Sequence, residues 1–173
     1  KTAERIDLQT EAEKARELLF QIRPFSGQEN RYYTDMGAMV LKYVVEAAGD
    51  LPFYGYLKAH VFDPLGMGET FSQVPKGLLH RTVCYNYERR MGAGEFLVDT
   101  DCPEGVPHGP KARVLSSNGE DLCGHAGLFS TRGDMVRFAR GLLSGALLSR
   151  DTLLKIGVNR TGVPLPDGGH TQC

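Results

Sequence analysis

The sequence is poor in cysteine, and none of its cysteines forms a Cys-x-x-Cys pair. The four are Cys84, Cys102, Cys123 and Cys173. They are too sparse for a scaffold built on disulfides in a chain of 173 residues, and they lack the paired spacing typical of zinc sites. Reduced thiols are therefore expected, and the sequence predicts no metal site and no cofactor.

The sequence also lacks an excess of charge and any long apolar run. Lysine and arginine total 20 against 21 for aspartate and glutamate, so the net charge is -1. This balance creates no field that would attract nucleic acid or an anionic membrane. No stretch reaches the roughly 18 apolar residues of a membrane helix, and residues 1–9 lack the apolar core of a secretory signal. A soluble chain is expected, and its cellular location stays open.

The length of 173 residues, with 41% hydrophobic content, suits one ordinary domain and is too short for two. The sequence opens on Lys1 instead of methionine. It closes on residues 168–173, where no helix or strand is predicted. We therefore expect a single, incomplete domain over residues 1–173.

Helical periodicity dominates residues 10–67, which we expect to form a helical lobe. One helix is predicted over residues 10–22, a second over residues 34–48 with Gly49 as its C-terminal cap, and a third before the turn at residues 63–66. The apolar residues expected on the inner face of the second helix are Met36, Val40, Tyr43, Val44 and Ala47.

Residues 68–123 form a loop-rich middle in which glycine, proline and short β-prone runs replace the helical pattern. Strands are expected at residues 82–87 and 95–98. The last part, residues 124–173, is expected to hold one short buried strand at residues 127–130 and two helices. The fold class is therefore mixed α/β, of the α+β kind.

The start of the first helix after residue 130 carries its own signal. Thr131 and Asp134 stand three residues apart, as in a cap that satisfies the first exposed amide donors of a helix. Ser149 has the same role for the last, short helix.

Two separated blocks of sequence carry a family pattern. The segment Tyr32-Tyr33-Thr34-Asp35 stands where a loop becomes a helix, and Pro64-Leu65-Gly66-Met67 follows the next helix. Further on, Val106 to Ala112 leads to Gly124-His125-Ala126-Gly127-Leu128-Phe129-Ser130-Thr131. In this order the blocks resemble the serine β-lactamase and penicillin-binding-protein superfamily, in particular its class C-like branch of esterases and D-aminopeptidase-like enzymes. The resemblance covers roughly residues 23–156.

This resemblance implies a β-lactamase/transpeptidase-like fold, of which the chain holds mostly the helical lobe and part of the region that packs on the sheet. It also implies acyl hydrolysis, in which a serine attacks a carbonyl, a lysine one turn later removes its proton, and a tyrosine passes the proton on. Tyr33 matches that tyrosine. It needs the lysine, because a phenol with a pKa of about 10 is rarely ionised at neutral pH.

The sequence departs from the family pattern at three places. None of its seven serines is followed by lysine three positions later, so Ser-x-x-Lys is absent. Asp35 stands where many relatives have asparagine, which puts recognition of a β-lactam in more doubt than ester hydrolysis. His170 lies in a run that resembles the start of the third family motif, but Gln172 replaces the glycine of that motif.

The candidate site therefore comprises Tyr33 as catalytic residue, Asp35 in support, and Gly124, His125 and His170 as possible cleft residues. Plainer interpretations exist for each main member. Tyr33 can be a half-buried aromatic, Asp35 a first-turn carboxylate favoured by the helix dipole, and His125 a surface histidine in a tight turn.

Two functions follow for the whole chain. The first is part of a serine acyl hydrolase acting on a small ester, D-peptide or β-lactam, and inactive by itself. The second is a non-catalytic binding or regulatory module on the same scaffold. Because most of the sheet is expected outside the chain, we also expect self-association or a companion segment to cover apolar helix faces.

Overall fold

The computed structural model describes residues 8–21, 34–83, 87–90, 96–99, 104–116, 122–156 and 158. In chain order the helices are α1 (Leu8–Gln21), α2 (Met36–Gly49), α3 (Phe53–Leu57), α4 (Pro110–Leu115), α5 (Arg132–Leu143) and α6 (Arg150–Ile156). A π-helical turn at Lys58–Phe62 continues α3, and a 3-10 helix occupies Lys76–Arg81. Among these described helices, none combines the length and the apolar composition needed to cross a membrane.

The described β structure is small. β1 (Tyr87–Arg90) and β2 (Phe96–Asp99) pair antiparallel, with Tyr87 opposite Asp99. β2 agrees with the strand expected at residues 95–98. Of the strand expected at residues 82–87, the middle lies outside the described residues, and its last residue, Tyr87, is the first residue of β1. The expected strand at residues 127–130 is reduced to one antiparallel bridge between Phe129 and Phe71, with both N–H to O distances at 2.8 Å. The larger antiparallel sheet thus stays a prediction.

The end of α2 differs from the prediction by one residue. Gly49 is the last helical residue, and the left-handed position is occupied by Asp50 at φ 50° and ψ 35°. Aspartate tolerates this conformation better than most residues. The glycine has another use, because a Cβ on Gly49 would lie 2.5 Å from the Tyr56 ring. Gly49 therefore lets α3 pack closely against the end of α2.

The inner face predicted for α2 is wrong. The buried side chains of this helix are Met39 and Lys42, while Val44 is 56% exposed. The Lys42 ammonium lies 3.6 Å from the Glu46 carboxylate and 4.6 Å from the centre of the Tyr43 ring. A paired cation can lie inside the fold because its charge is compensated there. The buried face of α2 is thus partly polar.

The described core joins segments that are distant in the sequence. Its buried apolar side chains are Leu19, Met39, Phe62, Met67, Val74, Ala112, Leu122 and Cys123. They come from α1, α2, the π-helical turn, the segment after it, α4 and the loop before α5. This core brings the start of α2, α4 and the loop at residues 122–127 together.

The start of α5 is held by a buried carboxylate. The Thr131 hydroxyl accepts a hydrogen bond from the Asp134 backbone N–H at 3.2 Å, which confirms the predicted cap. Asp134 Oδ2 accepts from Glu69 N at 2.8 Å and from Thr70 Oγ1 at 2.9 Å, and Oδ1 accepts from Arg137 at 2.8 Å. We call this group the Asp134 cluster. It ties α5 to the segment that follows the π-helical turn.

Candidate functional site

Asp35 occupies the N-cap position of α2 without capping it. Its backbone is helical, with φ -67° and ψ -19°, and its side chain accepts no hydrogen bond from the first turn. Instead the Thr34 hydroxyl accepts from Met36 N at 3.3 Å. Asp35 therefore makes no side-chain cap hydrogen bond, and its carboxylate contacts other parts of the chain.

The first partner of that carboxylate is Lys111 on α4. Lys111 Nζ donates to Asp35 Oδ2, although the two residues lie 76 positions apart in the sequence. The Lys111 side chain is 57% exposed and that of Asp35 is 25% exposed. Exposed pairs of this kind contribute at most about 1 kcal/mol to stability. The ion pair thus does more to define the local charge than to hold the fold.

Gly124 brings the loop at residues 122–127 into direct contact with α2. Its φ of +92° is a conformation that side chains rarely adopt, and a Cβ there would lie 2.6 Å from Ala38 O and 3.0 Å from Lys42 Cβ. Only glycine allows this close approach. The predicted cleft position of Gly124 therefore has a specific cause, which is contact between the loop backbone and the helix that begins at Asp35.

The next residue, His125, turns its ring toward Asp35. His125 Nε2 lies 3.9 Å from Asp35 Oδ2, and the side chain is only 14% exposed. On the other side of the ring, Nδ1 lies 3.3 Å from the sulfur of Cys123, and this thiol donates to Ala126 O at 2.8 Å. His125 is thus a largely covered side chain, held between Cys123 on its own loop and Asp35 before α2.

The pKa of His125 is lowered from its ordinary value. Burial is the main cause, because it penalises the charged imidazolium, and the neighbouring Lys111 ammonium acts in the same direction. The Asp35 carboxylate and a hydrogen bond to the Cys123 backbone oppose these effects without reversing them. The ring is therefore neutral at neutral pH, with one nitrogen able to accept a proton.

A cavity of about 460 Å³ adjoins this cluster. Its walls come from the start of α3, from the residues before α4 and from the loop before α5. The lining residues are Phe53, Pro107, His108, Leu122, Gly124, His125, Ala126, Gly127, Leu128 and Phe129. Sites for small molecules have this size and this mixture of mostly apolar walls with a few polar groups. The cavity is therefore large enough for a small acyl compound.

The structure brings together three of the five predicted site residues. Asp35 and His125 lie side by side, because Gly124 allows the loop that carries His125 to contact α2 closely. Tyr33 and His170 lie outside the described residues. Lys111 was missed by the sequence analysis, because no local motif links a lysine on α4 to a carboxylate at the start of α2. Within the described part of the chain, no group of three or more His, Cys, Asp or Glu side chains is arranged to hold a metal ion.

Comparison with known proteins identifies the class. The β-lactamase family profile matches residues 3–172, so the chain belongs to the β-lactamase family of hydrolases. A putative D-alanyl-D-alanine carboxypeptidase from Escherichia coli O157:H7 is 31% identical over 118 residues, which cover 65% of this chain and 26% of the relative. The chain thus spans about a quarter of the length of such relatives.

Solved structures agree on the fold. Simvastatin synthase from Aspergillus terreus matches 94% of this chain and 38% of its own, with a TM-score of 0.57 and 22% identity. A class C β-lactamase from Rhodobacter sphaeroides matches 86% of this chain and 36% of its own, with a TM-score of 0.53 and 19% identity. The predicted β-lactamase/transpeptidase-like fold and family are confirmed at this level.

Proposed function

We propose that the chain is part of a serine acyl hydrolase with a Ser/Lys/Tyr mechanism, in which Tyr33 carries the proton. The observation that carries the proposal is the cluster of Asp35, Lys111 and His125 beside the cavity of about 460 Å³. Asp35 follows Tyr33 by two positions, so the cluster lies close in the chain to the proposed proton carrier. Family membership supports the same chemistry.

In this proposal the nucleophile comes from polypeptide outside the 173 residues. None of the seven serines here has a lysine three positions later, and the chain covers only 26% of the E. coli relative. Serine Oγ would attack the acyl carbon and give its proton to the lysine and Tyr33 pair, and the Tyr33 phenol would pass that proton to the leaving group as the acyl bond to it breaks. Water would then release the acyl group from the serine. The chain alone would be inactive.

Asp35, Gly124 and His125 have supporting parts in this scheme. Gly124 allows the loop to approach α2, and the loop places the His125 ring at the cavity wall. Asp35 anchors the Lys111 ammonium beside that ring. An ester, a D-peptide or a β-lactam would place its acyl group in the cavity, and His170 would join the cleft if the third family motif begins there.

The rest of the domain belongs to the same proposal. Residues 10–67 form the helical lobe, residues 68–123 the loop-rich middle, and residues 124–173 the part that packs on an antiparallel sheet. Large apolar side chains are exposed on the described helices; among them are Leu18, Leu41, Leu143 and Leu154, each more than 60% exposed. Exposure of this kind supports a companion segment, or a second copy, that covers these faces.

The test has two parts. The 173-residue chain, incubated with a fluorescent penicillin and a chromogenic short-chain ester, should show neither covalent labelling nor turnover. In a longer polypeptide that supplies Ser-x-x-Lys, Tyr33→Phe should lower kcat at least about 100-fold, because general acid–base catalysis contributes that much. Tyr32→Phe is the matched control and should retain activity. Equal activity of the two variants would refute the role of Tyr33.

The alternative function is a non-catalytic binding or regulatory module. The absence of Ser-x-x-Lys among the 173 residues favours it. The two functions separate on the native source protein, because only the hydrolase forms an acyl adduct with the penicillin or turns over the chromogenic ester. A source protein whose intact mass stays unchanged after incubation with the penicillin, and which does not hydrolyse the ester, would favour the binding module.

A further inference from the structure

The thiol of Cys123 determines which nitrogen of the His125 ring carries the hydrogen. A thiol has one hydrogen, and Cys123 donates it to Ala126 O at 2.8 Å. The sulfur therefore accepts from Nδ1 of His125, which lies 3.3 Å away. A hydrogen bond between the ring and the Cys123 backbone raises the pKa of His125, as donation from the ring to a carbonyl does. Nδ1 is thus the protonated nitrogen, and Nε2 of the neutral ring keeps its lone pair.

The lone pair of Nε2 is available to a water molecule. His125 lines the cavity of about 460 Å³, and 14% of its side chain remains exposed. Nδ1 is occupied by Cys123, whereas Nε2 lies 3.9 Å from Asp35 Oδ2, which is too long for a direct hydrogen bond. Both of these atoms are acceptors in the neutral tautomer, so neither satisfies the other. A water that enters the cavity can therefore donate a hydrogen bond to Nε2.

The charges around His125 suit a base that gains a proton for a short time. Burial, and to a smaller extent the Lys111 ammonium, lowers the pKa of the ring, so Nε2 is unprotonated at neutral pH. Once Nε2 takes a proton, the imidazolium lies beside the Asp35 carboxylate, which stabilises it. The arrangement thus favours a ring that is neutral before a proton transfer and stabilised during it.

We propose that His125 is the general base that activates the water in the second half of the reaction, and that Cys123 is its positioning residue. This inference rests on the proposed function and adds a residue to it. Nε2 takes a proton from the water while the water oxygen bonds to the acyl carbon of the acyl-serine. The bond from that carbon to serine Oγ then breaks, and Oγ takes the proton from Nε2. The free acid leaves, and the ring is neutral again.

The kinetic test uses the longer polypeptide that supplies Ser-x-x-Lys, with p-nitrophenyl acetate as substrate. In His125→Gln the burst of nitrophenol should keep the wild-type rate, while the steady-state rate should fall at least about 100-fold, because the base acts only on the water. The acetyl-enzyme should therefore accumulate and be visible by intact mass. His80→Gln, at an exposed histidine, should keep both rates.

Two further measurements use the wild type. Its deacylation rate should fall as the pH falls through the lowered pKa of His125, by about tenfold per pH unit, and His125→Gln should lack this dependence. In the 173-residue chain, nitrogen NMR of the neutral ring should show hydrogen on Nδ1 and none on Nε2. Cys123→Ala should increase the share of the other tautomer, and Cys123→Ser, which keeps an acceptor, should restore the wild-type ring.

Three results would overturn the inference: a burst and a steady-state rate that fall together in His125→Gln, a steady-state rate that does not fall, or a wild-type ring with its hydrogen on Nε2. Should His125→Gln fail to fold, the ring tautomer and the pH profile of the wild type still decide. Hydrolysis that depends on Tyr33, with unchanged deacylation in His125→Gln, refutes only this inference. A longer polypeptide that is never acylated refutes the proposed function and this inference with it.

Discussion

Two aspartates stand at the start of the two longest helices after α1, and each has a basic partner. Asp134 in the first turn of α5 is 1% exposed, and Asp35 before α2 has 25% of its side chain exposed. Asp134 accepts hydrogen bonds from two groups of one neighbouring segment and from Arg137 within its own helix. Asp35 instead meets Lys111 and His125, which come from two other parts of the chain.

The difference separates a structural carboxylate from a candidate functional one. Both carboxylate oxygens of Asp134 accept hydrogen bonds from donors of the protein itself. Since buried polar groups need such partners, the carboxylate is a buried, structural group. Asp35 lies beside an exposed ammonium and 3.9 Å from the neutral imidazole of His125, which lines the cavity. Similar sequence positions thus serve stability in one case and, in the proposed function, the placement of Lys111 beside His125 in the other.

The sharpest test of this comparison is to neutralise each carboxylate in turn. Asp134→Asn should lower the free energy of unfolding by about 4 kcal/mol, because buried donors lose a charged acceptor. Asp35→Asn is the matched variant and should cost less than about 1 kcal/mol, because its ion pair is exposed. Urea denaturation measures both, and equal losses would contradict the distinction.

Substitution of Gly124 should have the next largest effect on the free energy of unfolding. Gly124→Ala should cost about 2 to 3 kcal/mol, because it combines a strained positive φ with a Cβ too close to Ala38 O. Gly66→Ala separates the two causes, since Gly66 has φ +68° and a Cβ added there would meet no atom within 4 Å. That control should cost about 1 kcal/mol from backbone strain alone. If both variants lose the same free energy of unfolding, the close contact of Gly124 with α2 does not contribute to the cost of the substitution.

His125 should make stability depend on pH. Its pKa is lower in the folded chain than the ordinary value of 6.5, so the unfolded chain binds the proton first as the pH falls. The stability that His125 contributes is therefore fully present above about pH 6.5 and is lost below it. The free energy of unfolding should fall there by at most about 1.4 kcal/mol per pH unit. Urea denaturation between about pH 7.5 and about pH 5.5 measures the slope on both sides of the ordinary value.

His125→Gln should flatten this profile, whereas His80→Gln, at an exposed histidine of the 3-10 helix, should leave it unchanged. An unchanged profile in His125→Gln would show that the dependence arises elsewhere. The pair of variants isolates the His125 ring from the other histidines of the chain.

The smallest expected effects concern the electrostatic coupling among Asp35, Lys111 and His125. Lys111→Met should raise the pKa of His125, because it removes a neighbouring positive charge, and Asp35→Asn should lower it further. Lys111→Met should change stability by less than about 1 kcal/mol. NMR titration of the ring protons gives both directions. Shifts of the same sign in the two variants would be incompatible with the observed arrangement.

Much of the secondary structure could be predicted because it depends on local signals. Thr131 caps α5 as its spacing to Asp134 indicates, and β2 lies close to the β-prone run that predicted it. The inner face of α2 could not be predicted, because Lys42 is buried through its contacts with Glu46 and Tyr43 and through the close approach of Gly124. Hydrophobic periodicity ranks such a lysine as exposed.

The order of residues along the chain is enough to predict the family and the positions of the main helices, because motifs and helix signals are contiguous. It also proposes Asp35, Gly124 and His125 as site residues, which the fold brings close together. It does not distinguish the buried carboxylate of Asp134 from the open one of Asp35, and it does not pair Lys111 with Asp35 across 76 positions. Burial and ion pairing depend on which distant segments come into contact when the chain folds. Those contacts come from the packing of the whole core.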